Sequence, residues 1–101
     1  MSNPVRGEAH LGIDGTDLVL RPTFAALVAA EQELGPLFGL VDRAATGALG
    51  LDETVGLFWH CITDRPAGLT RAALGEAVAA MGMTAVAPVL VVLLRQILSG
   101  R

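Results

Sequence analysis

The chain has no lysine and a single cysteine, Cys61, among 101 residues, and each scarcity removes a class of chemistry. A lone cysteine closes no internal disulfide, and no second cysteine supplies a zinc-binding pair. All seven basic residues are arginines, Arg6, Arg21, Arg43, Arg65, Arg71, Arg95 and Arg101, and ten acidic residues bring the net charge to −3. Neutralising phosphates takes clustered cations, and these arginines are scattered, so nucleic acid is not an expected partner. The first seven residues lack the apolar run of a secretory leader, which points to a reducing, cytoplasmic setting. The glycines fall in turns and caps and match neither GxGxxG nor a phosphate-binding loop, so no cofactor is expected.

Long apolar runs are also few. Residues 77–94 carry no charge and approach the length of a bilayer span, but Gly82, Thr84 and Pro88 interrupt them. Two adjoining helices are the expected reading, with no membrane partner. What the chain does have is 52% hydrophobic residues against 17% charged, the balance of a globular domain. A domain this small buries a limited share of its surface, so some of that apolar material is expected to stay exposed unless a partner covers it.

Polarity alternates from Val5 to Ile13, with Val5, Ala9, Leu11 and Ile13 on one face and Arg6, Glu8 and His10 on the other. Asp14-Gly15 follows, a strong signal for a two-residue hairpin turn. Pairing Ile13 with Thr16 sets Leu11 opposite Leu18, Ala9 opposite Leu20 and Glu8 opposite Arg21. The apolar side chains then share one face, and an acid meets a base on the other. Pro22 ends the second strand.

Thr23 caps a predicted helix over 24–34, with Phe24, Leu27, Val28 and Leu34 as its apolar stripe and Gly35 as its stop. Pro36 opens a second helix to residue 46, with Leu37, Leu40, Val41 and Ala44 turned inward. Asp52 caps a third, running to about residue 63 with Val55, Phe58, Trp59 and Ile62 at helical spacing. Thr70 caps a fourth that buries Leu74, Ala77, Val78 and Met81 and stops at Gly82. A fifth spans roughly 85–98, with Pro88 near its first turn. The expected fold is therefore α+β: one domain over 1–101, with a β-hairpin over 5–22 packed on a bundle of four to five short α-helices over 23–98.

No catalytic site assembles from these residues, and no enzyme is expected. His60 and Cys61 are consecutive on a helix, so their side chains point about 100° apart. Cys61 reads as a packing residue and His10 as a solvated one. Glu31 and Glu33, two apart on a helix, face different directions and read as a solvated helix end. Asp64-Arg65 reads as a turn. The fifth helix stands out because it is apolar on nearly every side until Arg95 and Gln96. Such a helix is either central to its own core or covered by another chain. Leu90 and Leu94 share one face, while Val89, Leu93 and Ile97 define its neighbour. Together with Val86 these residues form the candidate partner-binding set, for another protein or for a second copy of the chain.

The opening Asn3-Pro4-Val5-Arg6-Gly7-Glu8, the hairpin through Ile13-Asp14-Gly15, the strand from Leu18 to Thr23 and the Ala/Leu/Glu-rich helix from Ala25 to Gly35 resemble the gene-transfer-agent tail-protein family, grouped with phage tail-assembly chaperones. The resemblance implies a small helical protein that coats the tape-measure protein and helps recruit tail-tube subunits. It brings no catalytic residues. A structural, tube-associated subunit retained in the particle is the alternative, followed by a membrane-associated adaptor. Origin from a phage, a prophage or a gene transfer agent stays open.

Overall fold

The computed structural model describes residues 8–100. Strands β1 (Ala9–Ile13) and β2 (Thr16–Leu20) form the expected antiparallel hairpin. Asp14 and Gly15 take positive φ values of 50° and 77°, as a tight turn matched to the strand twist requires. The register pairs Ala9 with Leu20, Leu11 with Leu18 and Ile13 with Thr16, as predicted. Ala9, Leu11, Ile13, Leu18 and Leu20 are all buried. Beside Ala9 and Leu20, Arg21 Nε donates to Glu8 Oε2 at 2.7 Å. Val5, Arg6 and Gly7, expected to extend β1, lie outside the described residues.

The other face of the hairpin holds a pair that alternation alone does not show. His10 Nδ1 meets Asp17 Oδ2 at 2.5 Å, so the imidazole is half-buried and partnered rather than merely solvated. Asp17 stands opposite Gly12, which has no side chain, and reaches diagonally to His10.

Five helices follow: α1 (Phe24–Leu34), α2 (Leu37–Ala45), α3 (Leu51–Cys61), α4 (Arg71–Met81) and α5 (Met83–Ser99). The hydroxyls of Thr23 and Thr70 cap α1 and α4, accepting from Ala26 N–H at 3.1 Å and Ala73 N–H at 3.0 Å. Gly35 and Gly82 close the same two helices at φ near 90°. Pro36 is the N-cap of α2 rather than its first residue, and Glu31 supplies the missing acceptor to Leu37 N–H at 3.1 Å. Immediately past Gly82 the chain turns into α5, and the two helix axes differ by 117°. Among the described residues no single helix is long and apolar enough to cross a membrane. Helix α5 starts at Met83, ahead of the expected residue 85, which leaves Pro88 inside the helix rather than in its first turn.

Further expectations need correction, among them Met81, expected in the core of α4 but 39% exposed. Helix α3 is capped by Gly50, not Asp52. Glu53 accepts Gly50 N–H at 3.2 Å, and Asp52 sits in the first turn, where its charge suits the helix dipole. The helix also ends at Cys61. Ile62 and Thr63 become a short strand, β3 (Ile62–Thr63), which pairs with β2 and makes the sheet three-stranded in the order β1-β2-β3. Two β-branched residues suit an extended chain, and Ile62 is buried either way, so the helical spacing of apolar residues gives no warning. Finally, Phe24 is 86% exposed and takes no part in the core. Ala26 and Ala30, one turn apart, are the fully enclosed residues of α1, with Leu27, Val28 and Leu34 half-buried.

Helix α3 lies at the centre, packed on α1 and α4 and touching α5, while α5 covers β1. One apolar cluster joins the sheet to these helices, from Leu11 and Leu20 through Phe58 and Leu74 to Val86 and Leu93. Gly56 faces α1 at a point where a methyl group would come within 3.2 Å of Leu34 Cδ2 and 2.7 Å of an Arg71 nitrogen. Replacing Gly15 with Val should cost about 1–3 kcal/mol, since a β-branched residue resists positive φ. An unchanged thermal or urea midpoint would show that the turn tolerates the side chain.

Candidate partner-contact surface

Helix α5 presents its residues unevenly. Val86 and Leu93, two turns apart, are wholly buried and belong to the core. Val89, Leu90, Leu94 and Ile97 flank that seam, half-buried and packed against the same cluster. Both faces distinguished in the sequence therefore turn inward to some degree. The outward large apolar residues of α5 are Met83 at its start, 40% exposed, and Val91 and Leu98, 44% and 54% exposed, one on either side of Arg95.

Elsewhere the most exposed large apolar side chains are Phe24, opening α1, and Phe38, in the first turn of α2, the latter 78% exposed. Each follows a helix start set by its neighbours, Thr23 for one and Pro36 for the other. Helical spacing places Phe24 with Leu27 and Val28, and only the packing of Ala26 and Ala30 rotates it outward. An aromatic ring left in water is the kind of group that contact surfaces use.

The polar side chains that converge do so on Glu33. Arg71 Nη1 donates to Glu33 Oε1 at 2.6 Å and Nη2 to Oε2, while His60 Nε2 meets Oε1 at 2.7 Å. This joins α1, α3 and α4 at the surface. Glu33 is thus a hub rather than a solvated helix end, whereas Glu31 accepts the Leu37 N–H at the start of α2. Hydrogen bonds from Arg71 first and His60 second hold the Glu33 carboxyl down at about 2. Residues 33, 60 and 71 lie on three different helices, and no local spacing in the sequence links them.

Cys61 is enclosed in the core, and burial pushes its thiol up to about 12. Neither group is poised near neutrality, where acid–base or thiolate chemistry needs it. Asp64, at φ 49°, turns the chain after β3, and Arg65 folds back with its guanidinium 4.0 Å from the Trp59 ring centre. Among the described residues no three His, Cys, Asp or Glu side chains gather as metal ligands would.

Two measurements test this account. The folded value of Glu33 lies below its unfolded one, so its pairing stabilises fully above about 4.5 and is lost as pH falls from there through about 2. Glu33→Gln should therefore melt below wild type at pH 7, with the gap closing across that acid window. A pH-independent gap would mean that charge is not the cause. In the second measurement, a thiol reagent should label Cys61 only in denaturant, and rapid labelling of the native chain would place the sulfur at the surface.

Comparison with known families matches residues 6–100 to the family described as phage tail tube protein, GTA-gp10. No curated protein and no solved structure matches the chain. The match takes in the hairpin, all five helices and the Glu33 hub, and the chain therefore belongs to the phage tail tube protein, GTA-gp10 family.

Proposed function

We propose that this chain is a tube-associated structural subunit of a phage or gene-transfer-agent tail, retained in the particle and working by protein contact rather than catalysis. The observation that carries the reading is the family match over nearly the whole chain. The exposed rings of Phe24 and Phe38 support it as surfaces for other tail components. Glu33, held at about 2, and Cys61, pushed up to about 12, are poorly suited to acid–base or nucleophilic work at neutral pH. The chain would be made in the cytoplasm and docked there during tail assembly.

A second reading is a tail-assembly chaperone that binds the tape-measure and tail-tube proteins and then leaves. The observation in its favour is that the exposed apolar residues Phe24, Phe38, Val91 and Leu98 all stand on helices, as recognition of an apolar helical segment requires. Quantitative mass spectrometry of purified particles separates the two. A retained subunit appears in fixed proportion to the tube protein, at ring multiples, and a chaperone is absent or present only in traces. A paired Phe24→Ser and Phe38→Ser variant should keep its melting temperature, because both rings are solvated, and lose incorporation into particles. Normal incorporation would remove the aromatic rings from the contact.

A further inference from the structure

A groove of about 400 Å³ runs between α3 and α4. Val55 and Gly75 meet across it, where a methyl group on Gly75 would sit at ordinary contact distance, 3.8 Å, from Val55 Cγ1. Ala72, Glu76 and Ala79 line the α4 side, three exposed residues at i, i+4 and i+7. On α5, Val91, Arg95 and Leu98 are exposed with the same spacing. Both triplets cover two helical turns, about 10 Å at 1.5 Å per residue. One has an anion between two small apolar residues, and the other has a cation between two large ones. Neither Glu76 nor Arg95 is in an ion pair within the chain among the described residues.

We infer that the outward stripe of α5 from one copy docks in the α3–α4 groove of a second copy. Val91 and Leu98 lie over the small residues Ala72 and Ala79, and Arg95 meets Glu76. Small side chains on one helix let a second approach closely, and the Arg95–Glu76 pair fixes the register, with Asp52 on the opposite groove wall and Arg71 already bound to Glu33. The contact is head-to-tail, because the two surfaces differ and lie on different elements. Each copy keeps one free groove and one free stripe, so the assembly grows into a ring or an open filament rather than stopping at a dimer. A different protein in the groove has no comparable support here, since the matching stripe is carried by this chain itself.

The test uses the full-length chain in sedimentation velocity, with circular dichroism to confirm folding. Wild type should grow with concentration past the dimer. Val91→Asp removes the stripe and Ala79→Arg blocks the groove, both at exposed positions, and each variant alone should remain a folded monomer. Mixed one to one, they should form a dimer and no larger species, because a single intact stripe meets a single intact groove. Glu76→Arg and Arg95→Glu should each weaken growth, and the doubly reversed chain should recover it. A wild type that stays monomeric overturns the contact. So does a mixture that fails to pair, or a groove that takes up only another tail protein. These outcomes are independent of particle composition, which tests the functional reading separately.

Discussion

Everything in this fold leans on α3 being enclosed on several sides. Six of its eleven residues are buried, Thr54, Val55, Gly56, Leu57, Phe58 and Cys61, more than on any other helix. A helix so placed must satisfy its own polar atoms and admit neighbours closely. Thr54 does the first by donating its hydroxyl to the Gly50 carbonyl at 3.0 Å while wholly buried. Gly56 does the second, leaving room for Leu34 of α1 and Arg71 of α4. Ala26 and Ala30 meet the same need from α1. Small residues at the contact bring helix backbones together, and the larger Leu57 and Phe58 fill the remaining space toward the rest of the cluster.

Where apolar packing stops, charge holds the helices in place. Glu33 binds Arg71 and His60 at the rim of the α1–α3–α4 junction. Glu53 does the same for α2, pairing with Arg43 and capping α3 with its other oxygen. Arg43 lowers the Glu53 carboxyl first and the Gly50 amide second, so capping and tethering share one side chain. Exposed pairs of this kind contribute modestly to stability. Their value here is geometric, since α2 packs chiefly on α1 and needs a second point of attachment.

A core built this way leaves apolar side chains over. One face of the sheet and most of α3 are enclosed, yet Phe24, Phe38, Val91, Leu98 and the first residue of α3, Leu51, stand in solvent. In a tail-protein family, surplus apolar surface of this kind suits subunits that are finished by their neighbours.

Much of this was legible in the sequence, and the reason is locality. Asp14-Gly15, the threonine caps and the closing glycines each act over four or five residues. The alternation of β1 and β2 determined the face and register of the hairpin, and the Glu8–Arg21 pairing followed from it. What only the tertiary structure decided depends on which helix meets which. The most apolar helix, α5, covers β1 with one side exposed, whereas the less hydrophobic α3 takes the centre because its small residues admit neighbours. Phe24 turned outward because Ala26 and Ala30 took the core. Ile62 left the helix because β2 offered it a strand partner, and Glu33 became a hub because three helices converge there. Hydrophobicity shows that a residue gains by burial, while close packing decides which residues obtain it.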